Sequence, residues 1–385
     1  MREHRDTSVM DPALLRLSVV HHAVRSPQPW WRSAVLYEYS LAASEHPELA
    51  IECIDQAADL GVHGAVVPTG AAPVERSHAQ AIVAAHHDAG LRVLPSLAPA
   101  RGQRGLLADA ETWLECGADG IDLRSALAAG QVEHTGPFHA LVHSARDDGL
   151  LAGAMRSRDD LAGHLADAWL GHLRDDTLTD VPWEASAIRQ AVTTTFTSRD
   201  ALGASPAWTT TYALYRCGPR GDSWQADRMP VDRVRAVALM VMGLPGAVYL
   251  LHGEEVGMRD WSLETDPRER TRRVREAHAQ QRQDPASMVE HYRRCLRLRA
   301  EYELGTGTVA WVEGHRYGPD LVAALNRTQL LVLNASREAI WLPEHTEVAH
   351  SSTSLRRRAD GELQLPANAA VMITLPPFAP LDGEA

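Results

Sequence analysis

The sequence predicts an α/β protein, a (β/α)8 barrel followed by a small all-β domain, and three observations carry that expectation. Between Ala34 and about residue 303, strand-like and helix-like stretches alternate with no hairpin signal between them, as they do in a parallel sheet. Eight such pairs can be read off the chain, the number that closes a barrel. From about Gly305 the pattern changes to short strands separated by turns, the signature of an antiparallel β unit. On these grounds alone a doubly wound α/β sheet is the competing arrangement.

Residues 1–28 read as a loosely ordered lead-in ending in Ser26-Pro27-Gln28-Pro29, followed by a barrel over 29–304. Ala34 to Tyr39 is the first strand. Pro47 to Gly61 is an amphipathic helix, with Leu49, Ile51, Ile54, Ala57, Ala58 and Leu60 on its apolar side. Gly64 to Val67 and Arg92 to Leu97 are the second and third strands, separated by a helix over Ser77 to Ala89. Helix 106–116 leads to strand 120–123, and a helix near 138–148 leads to Leu150 to Ala154. Leu161 to Leu173 reads as helix, Thr177 to Val181 as a weak sixth strand, and 183–196 as helix. Pro206 to Tyr212 is a β-branched seventh strand, Val231 to Leu244 a helix, Ala247 to Leu251 the eighth strand, and 287–303 the last helix. Asp266 to Asp284, rich in Arg, Glu and Gln, reads as a solvated loop or irregular helix. The β domain spans 305–377, with strands expected at 320–325, 329–334, 338–342 and 369–375, and 378–385 form a tail.

Composition narrows the function classes. The formal net charge is −12, which argues against nucleic acid and against an anionic membrane surface as partners. All 38 Lys and Arg positions are arginine, so Schiff-base lysine chemistry and a Walker-type phosphate loop are excluded. The four cysteines, Cys53, Cys116, Cys217 and Cys295, show no Cys-x-x-Cys or Cys/His ligand spacing, so neither a metal nor another cofactor is expected. The N-terminus has no signal-peptide core and the chain has no run of about 20 apolar residues. A reduced, cytoplasmic protein is the expectation.

Three stretches carry the functional signal. The first is Trp30-Trp31-Arg32-Ser33-Ala34-Val35-Leu36-Tyr37-Glu38-Tyr39. The second is Gly117-Ala118-Asp119-Gly120-Ile121-Asp122-Leu123-Arg124-Ser125-Ala126, where a helix meets a Gly turn and a short strand. The third is Leu244-Pro245-Gly246-Ala247-Val248-Tyr249-Leu250-Leu251-His252-Gly253-Glu254-Glu255-Val256-Gly257-Met258. In the second stretch Asp122 and Arg124 stand two residues apart, so strand alternation predicts both on one face, as a structural ion pair.

Together these stretches resemble the first-, fourth- and eighth-strand motifs of the α-amylase superfamily (glycoside hydrolase family 13), in particular its α-glucosidases and trehalose synthases. The resemblance spans most of residues 29–375 and implies the same barrel and C-terminal β domain. It also implies where catalytic groups would stand, and there this chain departs. The family's fourth strand reads Gly-x-Asp-Gly-Phe-Arg-x-Asp, the last Asp being the nucleophile; here Asp122 takes the place of the Arg and Arg124 that of the nucleophile. The acid/base Glu of the fifth strand is replaced by Ala154. Asp-x-Val-Pro-Asn-His after the third strand has become Ser96-Leu97-Ala98-Pro99-Ala100-Arg101, and Thr210 and Thr211 lie where Asn-His-Asp would follow the seventh strand. The insertion after the third strand, one wall of the family's sugar cleft, is reduced to about 102–105. Glu254 and Glu255 are expected to brace the eighth loop.

A retaining glycosidase needs two carboxyl groups about 5–5.5 Å apart, and no motif supplies them. The expectation is therefore a catalytically degenerate α-glucosidase-like protein, a partner subunit or sugar-responsive regulator. Its partner would be an active homologous glycosidase or a second copy of the chain, and its ligand a small sugar. Two alternatives remain: an active superfamily enzyme with non-standard residues, and a small-ligand protein. In the latter, Arg101, Asp122, Arg124 and Arg156, with Thr210 and Thr211, would line a pocket for an anion or sugar.

Overall fold

The computed structural model describes residues 16–23, 27–128, 130, 132, 134–154, 170–175, 178, 181–201, 203–209, 231–258, 266–313, 320–342, 347–359 and 362–376. Strand β1 (Arg16–His21) comes first, and the next eight strands form the barrel. These are β2 (Val35–Glu38), β3 (Gly64–Pro68), β4 (Arg92–Ser96), β5 (Gly120–Asp122), β6 (Leu150–Ala154), β7 (His172–Asp175), β8 (Ala207–Thr209) and β9 (Ala247–Leu251). Each pairs parallel with the next, and β9 returns to β2, with Tyr37 opposite Leu250. The doubly wound alternative is thereby removed, since the sheet has no edge.

Alternation along the strands divides two cores. Ala34, Leu36, Val66, Leu94, Leu150, Ala152, Ala207, Ala247 and Tyr249 fill the barrel interior, with Trp30 and Trp31 packed against them. Their neighbours in sequence, such as Val35, Tyr37, Val67, Val93, Ile121, Leu151 and Val248, face outward into the helical shell. A strand buried on both faces reads as a continuous apolar run, which is why most barrel strands are legible in the sequence.

The described helices are α1 (Pro47–Glu52), α2 (Ile54–Leu60), α3 (Arg76–Asp88), α4 (Gly102–Glu115), α5 (Arg124–Ala128), α6 (Gly136–Ala145), α7 (Ala185–Asp200), α8 (Val231–Met242), α9 (Pro267–Gln281) and α10 (Met288–Glu301). The helix expected over Pro47 to Gly61 is broken at Cys53 into α1 and α2. Only a 3-10 turn, Pro99–Arg101, separates β4 from α4, so the connection after the third strand is short, as expected. None of the described helices is long and apolar enough to cross a membrane.

Three expectations are corrected. The sixth strand is His172–Asp175, ahead of the expected Thr177 to Val181, most of which lies outside the described residues, and residues 172 and 173 are strand where the sequence reading extends a helix from 161, whose part before 170 also lies outside them. Its inward residues are polar, so the segment lacks an apolar signature. Asp266 to Asp284, read as a solvated loop or irregular helix, is largely the regular helix α9. Asp266 caps it by accepting from the Arg268 amide at 2.9 Å, and Pro267 is pre-set for the first turn. Arg272 and Arg273 then pair with Glu269, and Arg272 with Glu276, along one face. Finally, Arg16–His21 within the expected lead-in is a strand, paired antiparallel with β10 (Val309–Glu313).

That pairing extends a six-stranded antiparallel sheet in the order β1-β10-β11-β12-β17-β14, where β11 is Leu321–Asn326, β12 Gln329–Asn334, β14 Val348–Ser351 and β17 Ala369–Thr374. One face joins the barrel's outer core through Trp311, Val322, Ala324, Leu331, Leu333 and Met372. The other, with Val312, Ala323, Leu325, Leu330 and Val332, packs on a three-stranded sheet of β13 (Ile340–Leu342), β15 (Arg356–Arg357) and β16 (Leu363–Leu365). Period-2 burial on both faces thus fixes the sheet between the barrel and the small sheet.

Candidate functional site at the barrel mouth

The C-terminal ends of barrel strands are where such folds carry their chemistry. Four charged side chains meet there. Glu38 ends β2, Asp122 ends β5, Arg124 begins α5, and Arg174 stands in β7. Arg174 donates from Nη1 to Glu38 Oε2 at 2.6 Å and from Nη2 to Asp122 Oδ2 at 3.2 Å. Arg124 donates from Nη1 to both Glu38 oxygens at 3.3 and 3.2 Å. Its backbone N–H donates to Asp122 Oδ1 at 3.1 Å. The result is a closed circuit of two guanidinium groups and two carboxylates, formally neutral.

Its members differ in access to water. The side chains of Asp122 and Arg174 are fully buried, Glu38 is 17% exposed and Arg124 36%. Below Arg174 the column continues toward the other end of the barrel. The guanidinium carbon lies 3.8 Å from the centroid of the Tyr249 ring, a cation–π contact. His172 Nε2 is 2.6 Å from the Trp31 carbonyl, which only accepts, so Nε2 carries the proton. His172 Nδ1 therefore accepts from the Tyr249 hydroxyl at 2.8 Å. The barrel axis holds a polar column from a tryptophan plug to an ionic mouth.

Burial alone would weaken the Arg174 charge, but Glu38 and Asp122 outweigh it and hold that group above its ordinary value. Burial pushes the Tyr249 hydroxyl up, with Arg174 pulling the other way. Burial, with the Arg174 charge adding to it, lowers His172 to about 3. Arg174 is thus a fixed cation, and His172 a neutral hydrogen-bonding strut. Arg174 Nε and Thr209 Oγ1 are buried with no hydrogen-bond partner among the described residues.

The expected Asp122–Arg124 side-chain pair is replaced by two others. β5 ends at Asp122 and α5 starts at Arg124, so strand alternation does not extend between them, and the guanidinium swings to Glu38. Arg101 is not part of the circuit described; it pairs with Asp109 at 2.7 Å on α4. Ala154 ends β6 opposite Arg174 in register. Arg156, Thr210 and Thr211 lie outside the described residues. Glu254 and Glu255 do brace the eighth loop: Glu254 accepts from the Tyr292 hydroxyl at 2.6 Å, and Glu255 from the Tyr37 hydroxyl at 2.7 Å and the Gly253 amide at 2.8 Å.

Glu38, Arg174, His172 and Tyr249 were missed as site residues. Glu38 continues the inward series Ala34, Leu36, Glu38, a signal available once the strand was recognised. Away from the mouth, ligand atoms of His291, Cys295 and His350 lie within 4.8 Å of one another, the one such His/Cys/carboxylate group among the described residues. The sequence reading found no Cys/His ligand spacing, yet His291 and Cys295 stand at i and i+4 on α10.

No family model matches the chain, and no curated protein matches it. Solved structures do match its fold. The α-glucosyl transfer enzyme XgtA superposes with a TM-score of 0.65 at 15% identity, over 91% of this chain and 100% of that one. A debranching enzyme from Nostoc punctiforme gives 0.62 at 13% identity, over 91% and 100%. A glycoside hydrolase family 27 β-L-arabinopyranosidase from Geobacillus stearothermophilus gives 0.51 at 11%, over 91% and 98%. The chain therefore has the barrel and C-terminal β architecture of glycoside hydrolases and glycosyl-transfer enzymes.

Proposed function

We propose that this chain is a catalytically degenerate relative of the α-amylase-superfamily α-glucosidases, one that keeps the barrel for a non-catalytic role. A partner subunit of an active glycosidase, or a sugar-responsive regulator, is the role this reading favours. The observation that carries it is the closed circuit of Glu38, Arg174, Asp122 and Arg124. A nucleophilic carboxylate must reach an anomeric carbon, and a general acid must hold a transferable proton. Asp122 is sealed from solvent beneath Arg174, and the position of the family nucleophile holds a guanidinium bound to Glu38. Ala154, at the acid/base position, has no carboxyl to offer.

One feature favours a second reading, an enzyme with non-standard residues. Two carboxylates, Glu38 and Asp122, stand at strand ends on the two arms of one guanidinium. A single-turnover assay with α-glucosyl fluoride separates the two, since its leaving group needs little acid assistance. The degenerate reading expects no fluoride release above the protein-free rate and no covalent glucosyl adduct by mass spectrometry. Adduct formation or fluoride release abolished by Glu38→Gln or Asp122→Asn would replace it with the second.

A further inference from the structure

We propose that His291, Cys295 and His350 form a binding site for a thiophilic divalent ion, zinc above all, which ties the last barrel helix to the C-terminal sheet. The site is independent of the barrel mouth and of the function proposed for it. His291 and Cys295 lie one turn apart on α10, and His350 comes from β14. One ring nitrogen of each histidine and the Cys295 sulfur fall within 4.8 Å of one another. Zinc–nitrogen bonds of about 2.0–2.1 Å and zinc–sulfur bonds of about 2.3 Å require tetrahedral ligand atoms about 3.3–3.7 Å apart. His291 Nδ1 and His350 Nε2 are 2.8 Å apart and Cys295 Sγ lies 3.8 Å from His291 Nε2, so the two rings would part by about half an ångström and the thiol would turn toward Nδ1 to take an ion.

The hydrogen bonds place the protons. His291 Nε2 is 2.9 Å from the Arg235 carbonyl, which only accepts, so Nε2 carries the proton and Nδ1 presents a lone pair. His350 Nε2 lies 2.8 Å from that Nδ1 and donates into it. Ligating histidines characteristically donate their other ring N–H to a carbonyl, and His291 is already held that way. The ion would take the place of the proton between the two rings. The His350 proton moves to its Nδ1, the Cys295 thiol gives up its proton, and one proton leaves per ion bound. Three protein ligands leave a fourth position for water.

The surroundings select the kind of ion. Arg235 lies beside the group, its Nε bonded to the Ser352 carbonyl at 2.6 Å and its Nη1 to the Ala286 and Ser287 carbonyls at 3.0 Å. Arg294 and Arg297 add positive charge around His350. Burial pushes the Cys295 thiol up to about 12, with Arg235 and Arg294 pulling the other way, so only an ion that binds sulfur strongly can displace that proton. Hard, oxygen-seeking ions such as magnesium and calcium cannot. His291 and Cys295 are buried while His350 is partly exposed, so an ion enters from the His350 side.

The test uses the full chain, reduced and stripped with a chelator, then titrated with cobalt(II) and afterwards with zinc. A one-to-one thiolate-to-cobalt charge-transfer band should appear and be displaced by zinc. Zinc at about a hundredfold over its Kd should raise Tm by about 3 °C. Cys295→Ser should remove the band. His350→Gln, at the partly exposed position, should lower zinc affinity by at least about tenfold, and it carries the test where Cys295→Ser fails to fold. Absence of both the band and the Tm shift overturns the proposal. So does unchanged affinity in His350→Gln, or a band that survives Cys295→Ser and therefore belongs to Cys53, Cys116 or Cys217.

Discussion

Replacing Arg174 by methionine removes the charge at the centre of the mouth while filling most of its volume. Asp122 would keep only the Arg124 amide at 3.1 Å, in a place no solvent reaches. Glu38 is partly exposed and retains Arg124 at 3.2 Å, so it can rehydrate and contributes little to the penalty. Stranding one member of a buried ion pair costs about 3–5 kcal/mol. At about 1.2 °C per kcal/mol for a chain of 385 residues, that is a Tm lower by about 4–6 °C. The variant should also respond to pH. Burial without a partner raises the Asp122 carboxyl above its unfolded value of about 3.9. The folded variant then binds more protons than the unfolded chain, so its deficit is full at pH 7.5 and shrinks toward pH 5. Urea unfolding followed by far-UV circular dichroism, variant against parent at both pH values, measures this. Arg174→Met with Asp122→Asn should recover more than half of the loss. A deficit under about 1 kcal/mol at pH 7.5 would refute the reasoning, as would one that neither falls with pH nor is recovered by the second change.

Buried neutral histidines should make the fold acid-sensitive. Burial lowers His172 to about 3, and His86 and His252 to about 4, against about 6.5 unfolded. Below pH 6.5 the unfolded chain takes up these protons first, so stability should fall toward pH 4 by about 1 kcal/mol per pH unit for each, or about 3–4 together; a flat Tm between pH 7 and 5 would contradict this. Gly120→Ala should destabilise by about 1–3 kcal/mol, because its Cβ would run into the Leu150 carbonyl oxygen and lie 2.8 Å from its nitrogen. Gly136→Ala, at the start of α6 with nothing within 4 Å, should be neutral or stabilising, and similar melting of the two variants would show that the strand contact is not tight. Tyr292→Phe removes a hydroxyl donating to buried Glu254 at 2.6 Å and should cost about 1.5–3 kcal/mol, read as a lowered urea midpoint.

What the sequence made legible follows from what burial does to a strand. Seven barrel strands announced themselves because both faces meet apolar surroundings, one in the barrel and one against the helices. The sixth did not, because β7 turns His172 and Arg174 inward and leaves Leu173 as its apolar outward residue. That polarity is the feature that makes the strand matter. An eight-stranded barrel has an interior that side chains must fill, and an arginine can fill it only where carboxylates receive its charge. Glu38 and Asp122 come from strands remote in sequence, so no local spacing joins them to Arg174. Asp122 was visible through its motif, but its partner was assigned by a period that ends with the strand, one residue before the helix that carries Arg124. A reading of inward positions across all eight strands, Glu38 and Asp122 against Arg174, would have found the circuit, because a buried carboxylate and a second, partly buried one at the same end of a barrel call for a cation between them. Arg174 with Glu38 and Asp122 on its two arms is therefore a charge arrangement that the mouth satisfies internally.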